Sequence, residues 1–381
     1  MAPCFAFKAH EHNEAIMIYE QDQKNWFSKP GDSIRAVMTR KNVNSEDMSR
    51  ELKGGMNLLR SLLDGSCPID DEIAVELSRV LGASPSFWIA RQKNFENALD
   101  KIILSADSEE IDNLFEIIPS ISTQVRGKIT ASRKFDEVRK RLVYFGVCDG
   151  DMWKNRYGRL INDTAFRTSQ AYETLDDSVL LWLRRGEMEA DMVDTRPWNS
   201  ANLEDRLEAI KTLSLQRHPQ SFLPKLRTLL AEAGVALSVV RAPSGCRASG
   251  ATRLIAPDKA MLLMSFRHRA DDHFWFTLFH EMGHLILHNA STFVDGDLEP
   301  VDHLEDEANN FAKDCIIPKS RESEFLDLST DKMSVLRFSA TLKVAPGLTV
   351  GQLQRKGRIG RAQLNFLKRN WSWDEIGAIS V

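Results

Sequence analysis

The chain has 381 residues, 43% hydrophobic and 27% charged, with a formal net charge of -4 and a pI near 6.2. That length exceeds a single compact core and implies two or three domains, while the balanced charge excludes a wholesale polyanion binder. The five cysteines (Cys4, Cys67, Cys148, Cys246 and Cys315) are scattered, with no CxxC pair, which excludes a disulfide framework and a cysteine zinc site. No basic leader followed by an apolar stretch occurs, nor any long uncharged apolar run, so the expectation is a cytoplasmic protein with no membrane segment.

From about Pro30 to Ala98 the pattern predicts five short helices broken by turn signals. Ser45, followed by Glu46 and Asp47, reads as a helix cap; Gly54-Gly55 breaks the chain; Asp70 and Ser84 cap the next two helices. Such a series fits a helix-turn-helix module. Ser108 to Gly234 continues with helical periodicity and no repeat. The period then changes. VALSVV, ATRLIA and KAMLLMSF are short strand-like runs separated by turn chemistry, with KAMLLMSF expected at a sheet edge, where an extended substrate would add as a strand. HFWFTLFHEMGHLILH and LEDEANNFAKDCIIP follow as two helices. The carboxyl end, VAPGLTVGQLQRKGRIGRAQLNFLKRN, reads as a further helix-turn-helix-like element and carries six basic residues with no acid between Gly351 and Asn370: Arg355, Lys356, Arg358, Arg361, Lys368 and Arg369. Trp88, Trp182, Trp198, Trp275 and Trp371 read as packing residues. The fold class is therefore mostly α with a small β-sheet, an α+β core behind an amino-terminal helical bundle.

Chemistry concentrates in FTLFHEMGHLILH. Positions i and i+4 share one helix face, so His280 and His284 can reach one ion, and Glu281 lies about 100° round the helix beside it. Two imidazoles holding Zn2+ with a glutamate as general base is the working arrangement of HExxH zinc peptidases. A catalytic zinc needs a third protein ligand and an open position. A histidine ten residues after His280 is absent, Ala290 standing there, and His288 projects too far along the axis to close the site. His303, Glu305 and Glu307 are the candidates on the second helix. Glu305 is the expected ligand, Glu307 a solvated charge, and Asn309 a donor to an imidazole or to Glu305.

HFWFTLFHEMGHLILH together with EDEANNFAKDCIIP resembles the ImmA/IrrE family of bacterial metallopeptidase-like proteins, whose members join a helix-turn-helix domain to a minimal zincin core. SIRAVM, LLDGSCPI and LSRVLGASPSFWIARQKNFE resemble the HigA-type antitoxin branch of XRE-like helix-turn-helix proteins. The resemblance implies zinc at His280, His284 and Glu305, with Glu281 as catalytic base. It also implies a division into an amino-terminal extension (1-29), a HigA/XRE-like domain (30-100), a helical middle region (101-225), an ImmA/IrrE core (226-320) and a helical region with a basic segment (321-381).

The presumed recognition helix, MNLLRSLLDG, offers only Asn57, Arg60 and Ser61 to DNA, with Asn57 and Arg60 the candidate contacts. From Pro30 to Leu99 nine basic residues oppose ten acids, a net charge of nine minus ten, or -1. Weak binding by this module alone follows, because phosphate contacts supply much of the affinity for DNA. Two readings stay open: a cytoplasmic regulator with an intact zinc endopeptidase site acting on a regulatory protein, and an antitoxin-like DNA-binding repressor whose zincin core is a sensor or remnant. The partners expected across the two are a protein or peptide substrate, a DNA operator, a toxin and a second copy of the chain.

Overall fold

The computed structural model describes residues 28-121, 130-158, 177-288, 293-295, 303-377 and 379-380. Most of the expected amino-terminal extension, with Cys4, lies outside the described residues. The chain divides into two compact units, Met1–Thr164 and Ala165–Val381. Among the described residues no helix is long and apolar enough to cross a membrane.

The first unit begins with the five helices that the patterning predicts: α1 (Pro30–Arg40), α2 (Ser45–Glu51), α3 (Gly55–Asp64), α4 (Asp71–Leu81) and α5 (Pro85–Ser105). The cap of α2 is Asn44, one residue before the expected Ser45, because the Asn44 side chain accepts from Asp47 N at 2.8 Å. Asp70 and Ser84 cap α4 and α5 by accepting from Ile73 N and Phe87 N. Ile34, Met48, Leu59, Leu77 and Trp88 are fully buried, each such side chain contributing about 1.5-3 kcal/mol. Helix α1 crosses the end of α3 so closely that a β-carbon at Gly31 would lie 2.4 Å from Leu63 O. Helices α6 (Ser108–Ile117), α7 (Ala131–Phe145) and α8 (Gly150–Trp153) follow, and Phe145, Trp153 and Tyr157 form an edge-on aromatic cluster.

The second unit opens with α9 (Asp177–Asp191), α10 (Ser200–Glu204), α11 (Leu207–Leu213) and α12 (Pro219–Ala231), then β1 (Val235–Arg241), β2 (Gly250–Ala256) and β3 (Lys259–Met264). After these come α13 (Asp271–Leu287), β4 (Phe293–Asp295), α14 (His303–Ile316), α15 (Glu322–Leu326), α16 (Lys332–Leu342), α17 (Pro346–Arg355), α18 (Trp373–Ile376) and β5 (Ile379–Ser380). The sheet order is β4-β2-β3-β1-β5. Strand β3 runs parallel to β1, with Leu262 opposite Leu237, and antiparallel to β2, with Leu262 opposite Thr252. KAMLLMSF is therefore an interior strand, and the expectation of a sheet edge there is corrected. The physical reason is pairing: β1 and β2 take both edges of this strand, whereas its unbroken apolar run reports only that its faces are covered.

The two sheet faces meet different helices. Val235, Leu237, Val239, Ala260, Leu262 and Met264 join the core that contains Trp275, Leu278, Phe279 and Met282 of α13. On the opposite face Ser238 Oγ donates to Gly186 O at 3.0 Å, Trp182 Nε1 donates to Val240 O at 2.8 Å, and a β-carbon at Gly186 would lie 2.4 Å from Leu263 Cδ2. Helix α9 can sit there only because residue 186 lacks a side chain.

The carboxyl-terminal segment packs against the start of α13. Asp271 N donates to Arg369 O at 2.9 Å, Arg369 N donates to Asp271 Oδ1 at 3.1 Å, and Trp371 N donates to Arg269 O at 2.8 Å. Within Val344 to Asn370 the one α-helix is α17, followed only by a 3-10 turn (Asn365–Leu367), so the helix-turn-helix-like element expected there is corrected; α17 pairs instead with α16, across a turn at Lys343 with a φ of 57°. Helix α17 buries Leu348, Thr349, Val350, Gln352 and Leu353 and so presents no reading face. Part of the basic stretch is likewise structural, and two of its six cations meet acids outside the local window. Lys368 pairs with Asp272 at 2.5 Å, Lys356 with Glu322 at 3.5 Å, and Arg358 Nη2 donates to Leu328 O at 3.0 Å. Arg369 Nη1 donates to Ser214 O and Gln216 O at 2.9 and 3.0 Å. Acids distant in sequence thus face Lys356 and Lys368, while backbone carbonyls hold Arg358 and Arg369.

Candidate metal centre

Helix α13 is buried nearly all round from Phe274 to Leu285, so its polar residues need partners inside the fold. His280, Glu281 and His284 are 3%, 0% and 1% exposed. Their partner comes from α14. A β-carbon at Gly283 would lie 3.2 Å from Ala308 Cα and 3.1 Å from Phe311 Cδ1, so the missing side chain lets the helices approach backbone to backbone. Glu305, one turn before Ala308, thereby reaches both imidazoles.

Three ligand atoms converge. His280 Nε2 lies 3.0 Å from His284 Nε2 and 3.2 Å from Glu305 Oε2, and His284 Nε2 lies 3.3 Å from Glu305 Oε1. One donor atom from each of the three residues falls within 4.8 Å of the others. The imidazole rings stand nearly perpendicular, at 84°, and Phe276 stacks on His280. Two imidazoles and a carboxylate, with no fourth ligand in the cluster among the described residues, make a donor set that suits a zinc ion and leaves one position open. The residues fit that ion.

Electrostatics agree with this. Burial pushes the His284 imidazole down, with the neighbouring His280 adding to the effect against the opposing Glu305, so the ring is kept neutral and able to ligate. Burial alone would push Glu305 up, but its close contacts with His280 and His284 outweigh it and hold the carboxyl well below the usual carboxylate range. Glu281 lies against β2, where a β-carbon at Gly250 would sit 2.6 Å from Glu281 Oε1 and 2.7 Å from Thr277 Cγ2. Only a glycine permits that approach of strand to carboxylate, and Gly250 was not singled out in the sequence. A lone glycine at the start of a strand-like run is the signal that could have found it.

The remaining candidates are placed differently from expectation. Asn309 accepts from Arg355 Nη2 at 3.1 Å, and the Arg355 guanidinium lies 4.3 Å from the Phe276 ring centroid, so Asn309 is tied to α17 and not to an imidazole. Glu307 is 43% exposed at its side chain but bonds to His288, so it is more than a solvated charge. Asn57 and Arg60 share a face of α3, with Arg60 Nη1 donating to Asn57 Oδ1 at 3.2 Å. Elsewhere in the same unit Arg50 pairs with Glu46 and Asp47, Lys53 with Glu72, and Arg79 with Glu51.

Residues 248–355 match the family model described as the IrrE N-terminal-like domain, which spans β2, β3, α13, α14 and α17. The chain thus carries an IrrE N-terminal-like domain of the ImmA/IrrE peptidase type over those residues, and a further segment related to helix-turn-helix regulators. That second relationship is to the uncharacterized HTH-type transcriptional regulator YddM of Escherichia coli (strain K12), 31% identical over 70 residues, which cover 18% of this chain and 70% of that protein. No solved structure matches significantly. The chain is thus a regulator-related protein with a peptidase-like domain.

Proposed function

We propose that the protein is a zinc-dependent endopeptidase acting on a regulatory protein. The observation that carries this reading is the convergence of His280, His284 and Glu305 beside the buried Glu281. In it, His280, His284 and Glu305 hold the zinc ion. When bound, the ion supplies Lewis acidity, lowering the pKa of water toward neutrality and polarising the peptide carbonyl. Glu281 takes the proton of the attacking water and returns it to the leaving amine. The buried surroundings of α13 keep bulk water from competing for these groups. The four free cysteines among the described residues accord with action in a reducing cytoplasm.

The relationship to a transcriptional regulator supports a second role, operator binding through α3, with Asn57 and Arg60 as contacts, and with dimerisation or a toxin as further partners. The test of the first role is a comparison of protein amino termini in cells expressing wild type or Glu281→Gln. New termini that depend on Glu281 support cleavage; identical sets of termini overturn it.

A further inference from the structure

Beyond the ligands, a chain of hydrogen bonds runs from the centre to the protein surface. His284 Nδ1 lies 3.1 Å from His288 Nδ1, and His288 Nε2 lies 2.9 Å from Glu307 Oε2. The other Glu307 oxygen lies 3.4 Å from His303 Nδ1, which faces solvent. The His288 side chain is only 4% exposed although it closes the carboxyl end of α13. This histidine is turned inward against its ligand neighbour.

We propose that Glu307 and His288 are positioning residues that select the tautomer of His284. A carboxylate only accepts, so Glu307 requires a proton on His288 Nε2. A neutral imidazole protonated there presents a lone pair at Nδ1. The contact between the two Nδ1 atoms then requires His284 to donate, which places its proton on Nδ1 and leaves its lone pair on Nε2. That Nε2 is the atom 3.0 Å from His280 Nε2 and 3.3 Å from Glu305. An exposed carboxylate two residues beyond Glu305 thus sets which nitrogen of a buried imidazole is free to ligate. Such outer partners fix ring orientation and raise ligand basicity, and their loss typically weakens metal binding by about 10-100-fold. His303 steadies Glu307 from the same helix, four residues earlier.

The inference rests on the zinc reading above. Zinc affinity of the full chain, measured by competition with a chromophoric chelator, tests it. His288→Phe and Glu307→Leu should each weaken binding by about ten-fold or more, and the double variant should be no worse than the stronger single one, since the two residues act in series. Glu307→Gln, whose amide oxygen still accepts from His288, should restore most of the affinity. Wild-type affinity in both single variants overturns the proposal. So does a Glu307→Gln as damaged as Glu307→Leu, because a purely electrostatic role would then be the cause. If His288→Phe fails to fold, the Glu307 pair of variants carries the test, its side chain being half-exposed. Failure of the wild type to take up one zinc, or zinc retained by His284→Ala, marks instead the failure of the zinc reading, and the tautomer chain falls with it.

Discussion

Gly283 and Ala308 bring the two helices of the candidate metal centre into backbone contact: a β-carbon on the glycine would stand 3.2 Å from the alanine Cα. Helix propensity favours alanine over glycine by about 1 kcal/mol, which offsets the tight contact. Gly283→Ala should therefore change the melting temperature little while weakening zinc binding, because α14 must shift and carry Glu305 with it. Gly283→Val should cost about 2-3 kcal/mol of stability as well. Equal zinc affinity in wild type and Gly283→Val would show that the helix spacing does not set the ligand geometry.

Metal removal gives a second expectation. Purified protein should carry about one zinc per chain, and chelation should lower its melting temperature, since a ligand at 1,000 times its Kd stabilises by about 4 kcal/mol. Glu281→Gln should retain the metal and the chelator response. His280→Ala, His284→Ala and Glu305→Ala should lose both, Glu305→Ala far more severely than Glu307→Ala. Metal analysis together with thermal scans decides this, and equal loss in Glu281→Gln would make Glu281 a ligand.

A third expectation concerns pH. Burial pushes the Asp271 carboxyl up from 3.8 to about 6, against the opposing backbone hydrogen bond from Arg369 and with the Asp272 charge adding to the rise. Between those values the folded chain binds a proton on this group that the unfolded chain does not. The stability contributed by Asp271 is thus fully present below about pH 4 and is lost as pH rises through about 6. Relative to a carboxylate in water, the ionised form costs on the order of 3 kcal/mol above that range. Denaturant titrations of wild type and Asp271→Asn at pH 5 and pH 7.5 should show the variant gaining relative stability at the higher pH. A pH-independent difference between the two would remove Asp271 as the cause.

The carboxyl-terminal cations supply a fourth. Removing one member of a buried ion pair strands the other, so Lys368→Met should cost about 3 kcal/mol by exposing the need of Asp272 for a partner. Arg358→Met should also destabilise, through its lost bonds to Phe325 O and Leu328 O. Neither change should alter the salt dependence of full-length binding to duplex DNA, whereas a lost phosphate contact would remove close to one unit of slope. A flattened slope in either variant would return this segment to the role of a DNA-binding patch.

The site was legible where chemistry follows helical spacing. His280 and His284 share a face because they are four residues apart, and Glu305 lies on the inward side of α14 because Ala308 and Ala312 are its buried residues. What escaped was set by distant parts of the chain. The inward turn of His288 depends on Glu307 from another helix, and Asn309 is claimed by Arg355, 46 residues further on. Strand β3 is interior only because β1 and β2 flank it from both sides. The helices of the first unit were easier to read, since Asp70, Ser84 and the glycines act within a few residues of themselves.

Asp271, at the first turn of the helix that bears His280, takes its backbone partner from Arg369, 98 residues later. During synthesis the ligand-bearing helix therefore leaves the ribosome well before its anchor exists. The histidines and Glu305 are all made by residue 305, yet the start of their helix is tied down only once Arg369 and Trp371 have followed. Order of manufacture and order of completion differ here: the candidate metal centre is among the parts of the second unit finished late, and a growing chain carries its two histidines on a helix still loose at one end.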